Sequence, residues 1–197
     1  MAADLPELIV ADHRAWRKWL AAHHSDAVGV WLVLAKKGIS QPTSLTYDQA
    51  LDEALCQGWI DGQVGRRDEA TYRQRFTPRR ARSRWSQSNV ARVERLGQEG
   101  RMLPQGMAAV ERSKADGTWE SAYAGQATMQ VPTDLAAALD SSPEAKAFFE
   151  VLSSQNRYAI LYRVGAARTA PTRTHRIEAF VAMLARGETV HPLRRAP

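Results

Sequence analysis

The sequence holds a single cysteine, Cys56. That excludes an intrachain disulfide framework and favours a reducing, cytoplasmic setting. No apolar run approaches the roughly 18–20 residues that span a bilayer, so no transmembrane segment is expected. The opening stretch, MAADLPELIVADHRAW, lacks the basic start and long apolar core of a signal peptide. Histidine is sparse. His13, His23, His24, His175 and His191 show no metal-ligand spacing, and no H-E-x-x-H occurs. There is no P-loop, no G-x-G-x-x-G and no G-x-S-x-G. Neither a cofactor nor a metal is expected. Lysine is scarce too, with five residues among 27 basic ones.

What is present is arginine, unevenly placed. The stretch from Arg66 to Arg95 carries a net charge of +7, and Arg157 to Pro197 carries +6, on an otherwise acidic chain of net +6. Arginine offers a planar fork that suits carboxylates and phosphates. Eight arginines fall between Arg66 and Arg84, interleaved with Tyr72, Phe76 and Trp85. The 44% apolar and 24% charged composition of the 197 residues is ordinary for a globular protein.

Asp12 can cap a helix to about His24, with Trp16, Trp19 and Leu20 on one stripe. Val28 to Ala35 reads as a central strand. Thr46 and Gln49 form a capping box for a helix to Gln57, and Gly58 stops it. Trp59 to Val64 and Thr71 to Phe76 read as strands joined by a turn. In the second, Tyr72, Gln74 and Phe76 share one face, and Arg73 and Arg75 the other. Beyond Ser86 only helices are expected. One is capped by Ser86 or Ser88. One opens at Pro104 with Met107 and Val110 inward. Others follow Asp134, Ser142, Ser154 and Pro171. Strands in the first half and helices in the second make an α+β fold. The expected organisation is an α+β domain over 1–120 and a helical region over 121–197, packed on or beside it or continuous with it.

The chemistry concentrates between Cys56 and Asn89. Cys56, at a helix C-terminus, reads as a buried small hydrophobe rather than a nucleophile, because the negative end of the helix raises a thiol pKa. Asp61 inside a short strand is unusual. It reads either as a general base or anchor in a pocket, or as an acid paired with an arginine or a turn amide. Arg79, Arg80, Arg82 and Arg84 precede the helix start at Ser86 to Ser88. That places guanidiniums beside free N–H groups, a setting for an anion; the competing reading pairs them with acids of the body. Trp59 and Trp85 are expected as buried anchors near one another. Arg173, His175 and Arg176 make a weaker basic cluster, read as solvated or ion-paired.

These blocks resemble a known family. Tyr47-x-x-Ala50-x-x-Glu53-Ala54-Leu55-Cys56-x-Gly58-Trp59-Ile60-Asp61 and Phe76-Thr77-Pro78-Arg79-Arg80-x-x-Ser83-x-Trp85-Ser86-x-x-Asn89 resemble blocks of the bacterial YdeI/OmpD-associated, bacteriocin-protection family. Gly117-x-Trp119, Ser154-x-Asn156-Arg157 and Thr172-Arg173-x-x-Arg176-Ile177 extend the likeness from about Trp31 to His191. Gln57 departs from it, standing where an aromatic residue is expected. The resemblance implies a link to bacteriocin or antimicrobial-peptide resistance, a form of stress resistance, and to an outer-membrane porin. It implies no reaction and no catalytic residue.

The expected function is a non-catalytic binding module for a small anionic ligand or a protein partner. Its ligand-binding residues would be Trp59, Asp61, Arg79, Arg80, Arg84, Trp85, Ser86 and Asn89, with Asp61 and the Arg79–Arg84 cluster in one polar site. Two alternatives stand beside it. One is an enzyme using Asp61 and the arginine cluster; the other is a nucleic-acid binder, weak and without sequence preference.

Overall fold

The computed structural model describes residues 5–81, 83–126 and 128–192. The chain divides into two compact units, Met1–Ala122 and Tyr123–Pro197. The architecture is α+β, with a four-stranded mixed sheet and eight helices among the described residues.

In the first unit β1 (Glu7–Leu8) is followed by α1 (His13–His23), β2 (Val30–Ala35), α2 (Tyr47–Cys56), β3 (Trp59–Arg66) and β4 (Thr71–Pro78). Two helices close it, α3 (Gln87–Gln98) and α4 (Pro104–Ala115). The sheet order is β1-β2-β4-β3, with β1 parallel to β2 and the other pairs antiparallel. β1 has no counterpart in the sequence reading, because two residues show no periodicity. β2 starts at Val30 rather than Val28, which is exposed and precedes Gly29. β3 and β4 each run two residues beyond the sequence expectation, and a bulge between Asp61 and Val64 absorbs one extra residue of β3.

The caps form where local chemistry demands them. Asp12 accepts from the amides of Arg14 and Ala15. Thr46 and Gln49 close the reciprocal box, and Ser86 caps α3. Met107 of α4 is exposed, whereas Val110 is buried as expected.

All four helices feed one core on one face of the sheet. Trp16 and Leu20 of α1, Leu51 and Leu55 of α2, Val93 and Leu96 of α3, and Val110 of α4 pack with Leu32, Leu34, Trp59 and Phe76. The opposite face is covered by arginine stems, as long side chains can lie along apolar surface with their heads in water. Arg67 crosses β4 and β2 to reach Glu7 of β1, Nε to Oε1 3.0 Å. Arg73 stacks over Trp31, 4.9 Å from the ring centre.

Two contacts fasten the helices. At the first, α4 meets the end of α2 backbone to backbone. The Cys56 carbonyl accepts from Leu103 N at 3.2 Å, and a Cβ on Gly106 would collide with that same oxygen. Gly58 sits beside it with φ +74°, its missing Cβ 2.9 Å from the Gln105 carbonyl. The second is ionic. Asp52 of α2 receives Arg92 at 2.7 Å and Arg95 at 2.8 Å from α3, and Arg101 at 3.4 Å. Its neighbour Glu53, 3% exposed, holds Arg17 of α1 at 2.7 Å and Arg101 at 3.0 Å. Burial pushes the Asp52 carboxyl up, but hydrogen bonds from Arg92 and Arg95 outweigh it and hold the group below its ordinary range.

The second unit is α5 (Thr133–Asp140), α6 (Pro143–Glu150), α7 (Ser154–Gly165) and α8 (Ala170–Ala185) around Leu135, Leu139, Phe149, Ile160, Val164, Ile177 and Leu184. Ser153 rather than Ser154 caps α7, and Thr169 caps α8. Ser142 precedes α6 without a side-chain capping bond. Arg173 is ion-paired with Asp134, and Arg176 donates to the Arg163 carbonyl.

Two outcomes follow. Gly106→Ala should lower stability by about 1–3 kcal/mol, the cost of overpacking a rigid contact, read as the urea midpoint. Asp52→Asn should cost about 1–3 kcal/mol at neutral pH, as expected for hydrogen bonds to a charged group. The carboxyl is depressed in the fold, so its contribution is present above the unfolded value near 3.8 and is lost as pH falls through the folded value. The gap between variant and wild type should therefore close on acidification below about pH 4, measured by urea unfolding at several pH values.

Candidate functional site

The β3–β4 hairpin delivers the chain from Pro78 into the arginine segment. Arg79 N donates to the Gly58 carbonyl at 2.9 Å, so the first residue of the segment is tied to the α2–β3 turn. The Arg79 side chain then folds back into its own loop. Its guanidinium carbon lies 3.5 Å from the centre of the Trp85 ring, and its Nη1 donates to the carbonyls of Ser83 at 3.1 Å and Arg84 at 3.3 Å. A guanidinium over an indole face is held electrostatically, more strongly when desolvated. Arg79 is 8% exposed and Trp85 2%. The far side of the Trp85 environment is closed by Trp119, edge-on at 4.7 Å.

This departs from the expected anion site at the start of α3. Arg79 turns to carbonyls rather than to the helix amides, and Ser86 itself accepts from Asn89 N at 3.2 Å. Arg84, part-buried, contributes its carbonyl to the clip. Arg82 lies outside the described residues.

Asp61 does not join the cluster. Its cross-strand partner is Phe76, which places it on the core face of the sheet. There Tyr47 of α2 donates its hydroxyl to Asp61 Oδ2 at 2.8 Å. Among the described residues the carboxylate makes no ion pair with an arginine; a phenol takes the place expected of a guanidinium. Burial, and then the Asp61 charge, push the Tyr47 phenol well above its usual range. The enzyme alternative thereby loses its pairing of Asp61 with the arginine cluster. Trp59 is core: its indole donates to the His24 carbonyl at 3.2 Å and meets Trp16 and Trp19 edge-on. Trp59 and Trp85 are both buried, but neither is the other's ring partner. Gln57 is buried, and its amide oxygen accepts from Gln105 of α4.

What the segment does form is one wall of a cleft. Arg79, Arg80 and Ala81 face Ala109, Arg112, Ser113, Ala115 and Asp116 at the end of α4, enclosing about 310 Å³. Arg80 is exposed, and the Arg80 and Arg112 guanidiniums have no hydrogen bond or ion pair among the described residues. Asp116 Oδ1 accepts from Thr118 N at 3.0 Å and Thr118 Oγ1 at 2.5 Å, which fixes it in its own turn. The α4 C-terminus disfavours an anion through its carbonyl dipoles; the Arg80 and Arg112 guanidiniums act in the other direction. A larger hollow of about 400 Å³ at the hairpin tip mixes Lys36, Arg66 and Arg67 with Asp68 and Glu69. Lys36 and Arg67 are already engaged there by Asp68, so it offers less to an anion. The sequence reading missed Arg112. Thirty-odd residues and a whole helix separate it from Arg80, and no local signal joins them.

Cys56, whose carbonyl makes the α2–α4 contact, is buried. Burial pushes its thiol up to about 11, with Glu53 adding to the effect. Among the described residues no cluster of histidine, cysteine and acid suits a metal, and no helix is long and apolar enough to cross a membrane.

Residues 8–109, more than half of the chain, match the family model of a domain of unknown function, DUF8412. Residues 128–187 match the model described as bacteriocin-protection, YdeI or OmpD-associated. The resemblance noted from the sequence is thus carried by the second unit, and the 47–61 and 76–89 blocks fall in the other match. No curated protein and no solved structure matches the chain.

At neutral pH the native Cys56 thiol should react with an aromatic disulfide reagent about 100-fold more slowly than in the urea-unfolded chain, given the scarcity of thiolate. Equal rates in the two states would contradict its burial.

Proposed function

We propose, for a chain that belongs to the family of the domain of unknown function DUF8412, that it is a cytoplasmic, non-catalytic module binding a small anion in the cleft between residues 79–81 and the end of α4. The second unit links this role to bacteriocin protection, as the description of its matching model suggests. One observation carries the reading. Arg80 and Arg112, on facing walls of a cleft of about 310 Å³, have no partner among the described residues. Elsewhere in the first unit the arginines of α3 are taken up by Asp48, Asp52 and Glu99. Two unpartnered guanidiniums lining one cleft suit a carboxylate or a phosphate, each contact being charge-assisted.

The test is calorimetric titration of the full chain with inorganic phosphate and with citrate, at constant ionic strength set by chloride. Arg80→Ala and Arg112→Ala should each weaken the tighter of the two by about 10-fold or more, with unfolding midpoints close to wild type. Absence of binding by either anion, or binding that survives in the double variant, would sink the assignment.

A further inference from the structure

The sheet face turned away from the helices carries a second arrangement, independent of the cleft. Strand alternation sends Trp31, Arg73 and Arg75 to this face, and Arg67 and Glu7 meet across it. Every helix of the first unit adds to the core on the other side. Arg73 lies close over β3 because Gly65 makes room for it: a Cβ there would fall 2.9 Å from Arg73 Cγ. Glycine within a strand marks close approach of another group.

The charge there is not balanced. Glu7 takes Arg67 at 3.0 Å and Arg73 at 4.0 Å, while Arg75 has no hydrogen bond or ion pair among the described residues. The Nε donors of Arg73 and Arg75 are shut from solvent without an acceptor. Such a deficit in a folded protein calls for an explanation; of Arg75 only Nε is enclosed in this way, which leaves its unpartnered terminal nitrogens to an oxyanion brought to the face. Arg73 is stacked on Trp31 at 4.9 Å, yet its side chain is 42% exposed. The exposed part of the side chain is what a further flat group would meet.

We infer that this face binds single-stranded nucleic acid, with the Trp31–Arg73 stack as a base platform and Arg75 as a phosphate contact. Unpaired bases stack on aromatic rings and on arginine planes, and such stacking tolerates any base. A duplex hides its base faces and gains only the phosphate contacts. The small charge excess makes the binding weak and salt-sensitive.

The experiment is fluorescence anisotropy of a labelled oligothymidylate of about 20 nucleotides, a length that exceeds one module's site, titrated with the full chain. Binding is expected with Kd of about 1–100 µM at low salt, falling with a log–log slope of about −0.7 per phosphate contacted. Arg75→Gln should lower the slope by about 0.7, and Trp31→Leu should weaken binding by about 10-fold. Circular dichroism checks that both fold, and if Trp31→Leu does not, Arg75→Gln decides. The variants Arg80→Ala and Arg112→Ala should bind the oligonucleotide as wild type does. No binding at low salt, binding unchanged in Arg75→Gln, or a duplex of equal length binding as tightly would each overturn the inference. Loss of binding in the Arg80 and Arg112 variants instead would move the oligonucleotide to the cleft, overturning this inference while leaving the anion site standing.

Discussion

At Gly58 and Gly106 two stretches of backbone meet with no side chain between them, and the first unit is arranged around that meeting. The Cys56 carbonyl, at the end of α2, receives the start of α4. Two residues later the Gly58 carbonyl receives the amide of Arg79. The same turn therefore sets both walls of the cleft, the arginine segment on one side and α4 on the other. Any side chain at either glycine pushes those walls apart, since backbone cannot rotate away as a flexible side chain can.

The basic stretch between Arg66 and Arg95 is not one surface. Its members divide by which acid or carbonyl each finds. Arg67 goes to Glu7 and Asp68, Arg79 to the carbonyls of its own loop, and Arg92 and Arg95 to the acids of α2 and α3. Most of a charge run thus becomes fastening. Among the described residues of that run, the arginines left without a hydrogen bond or ion pair are Arg66 at the end of β3, Arg75 on the sheet, and Arg80 beside the cleft, which acquires a companion from α4. A tally of charge along the chain overstates what is offered to a ligand, because ion pairing between elements far apart in sequence removes most of it.

The features legible in the sequence were those decided within a few residues. The Thr46–Gln49 box, the Asp12 cap, the Gly58 stop and the alternation of Tyr72, Gln74 and Phe76 against Arg73 and Arg75 all rest on local spacing, and all stand in the structure. The features missed depend on pairing across the fold. β1 exists only because β2 offers it an edge. Tyr47 meets Asp61 because the α2–β3 turn folds a helix back on a strand. A signal for that pair did exist: alternation puts Trp59 and Asp61 on the face that α2 must cover, and Tyr47 is the first residue of α2. For Arg112 there was none. Its place depends on how α3 and α4 return to the sheet.

The clasp of α3 has a consequence for how the molecule breathes. Val93 and Leu96 are the buried side chains of that helix, a small apolar footing for twelve residues. Val90 adds a partly buried contact, and the rest of the helix's grip on α2 is charge, gathered at Asp52. Regions with few buried apolar groups open locally at lower free energy than the core. α3 is thus placed to exchange its amide hydrogens ahead of α2. Because the 79–86 loop runs directly into its first turn, the Arg79–Trp85 clip becomes the latch that separates a loosened helix from a lost wall. Salt, which screens the exposed part of such pairs, then acts on this corner of the fold first and on the apolar core last.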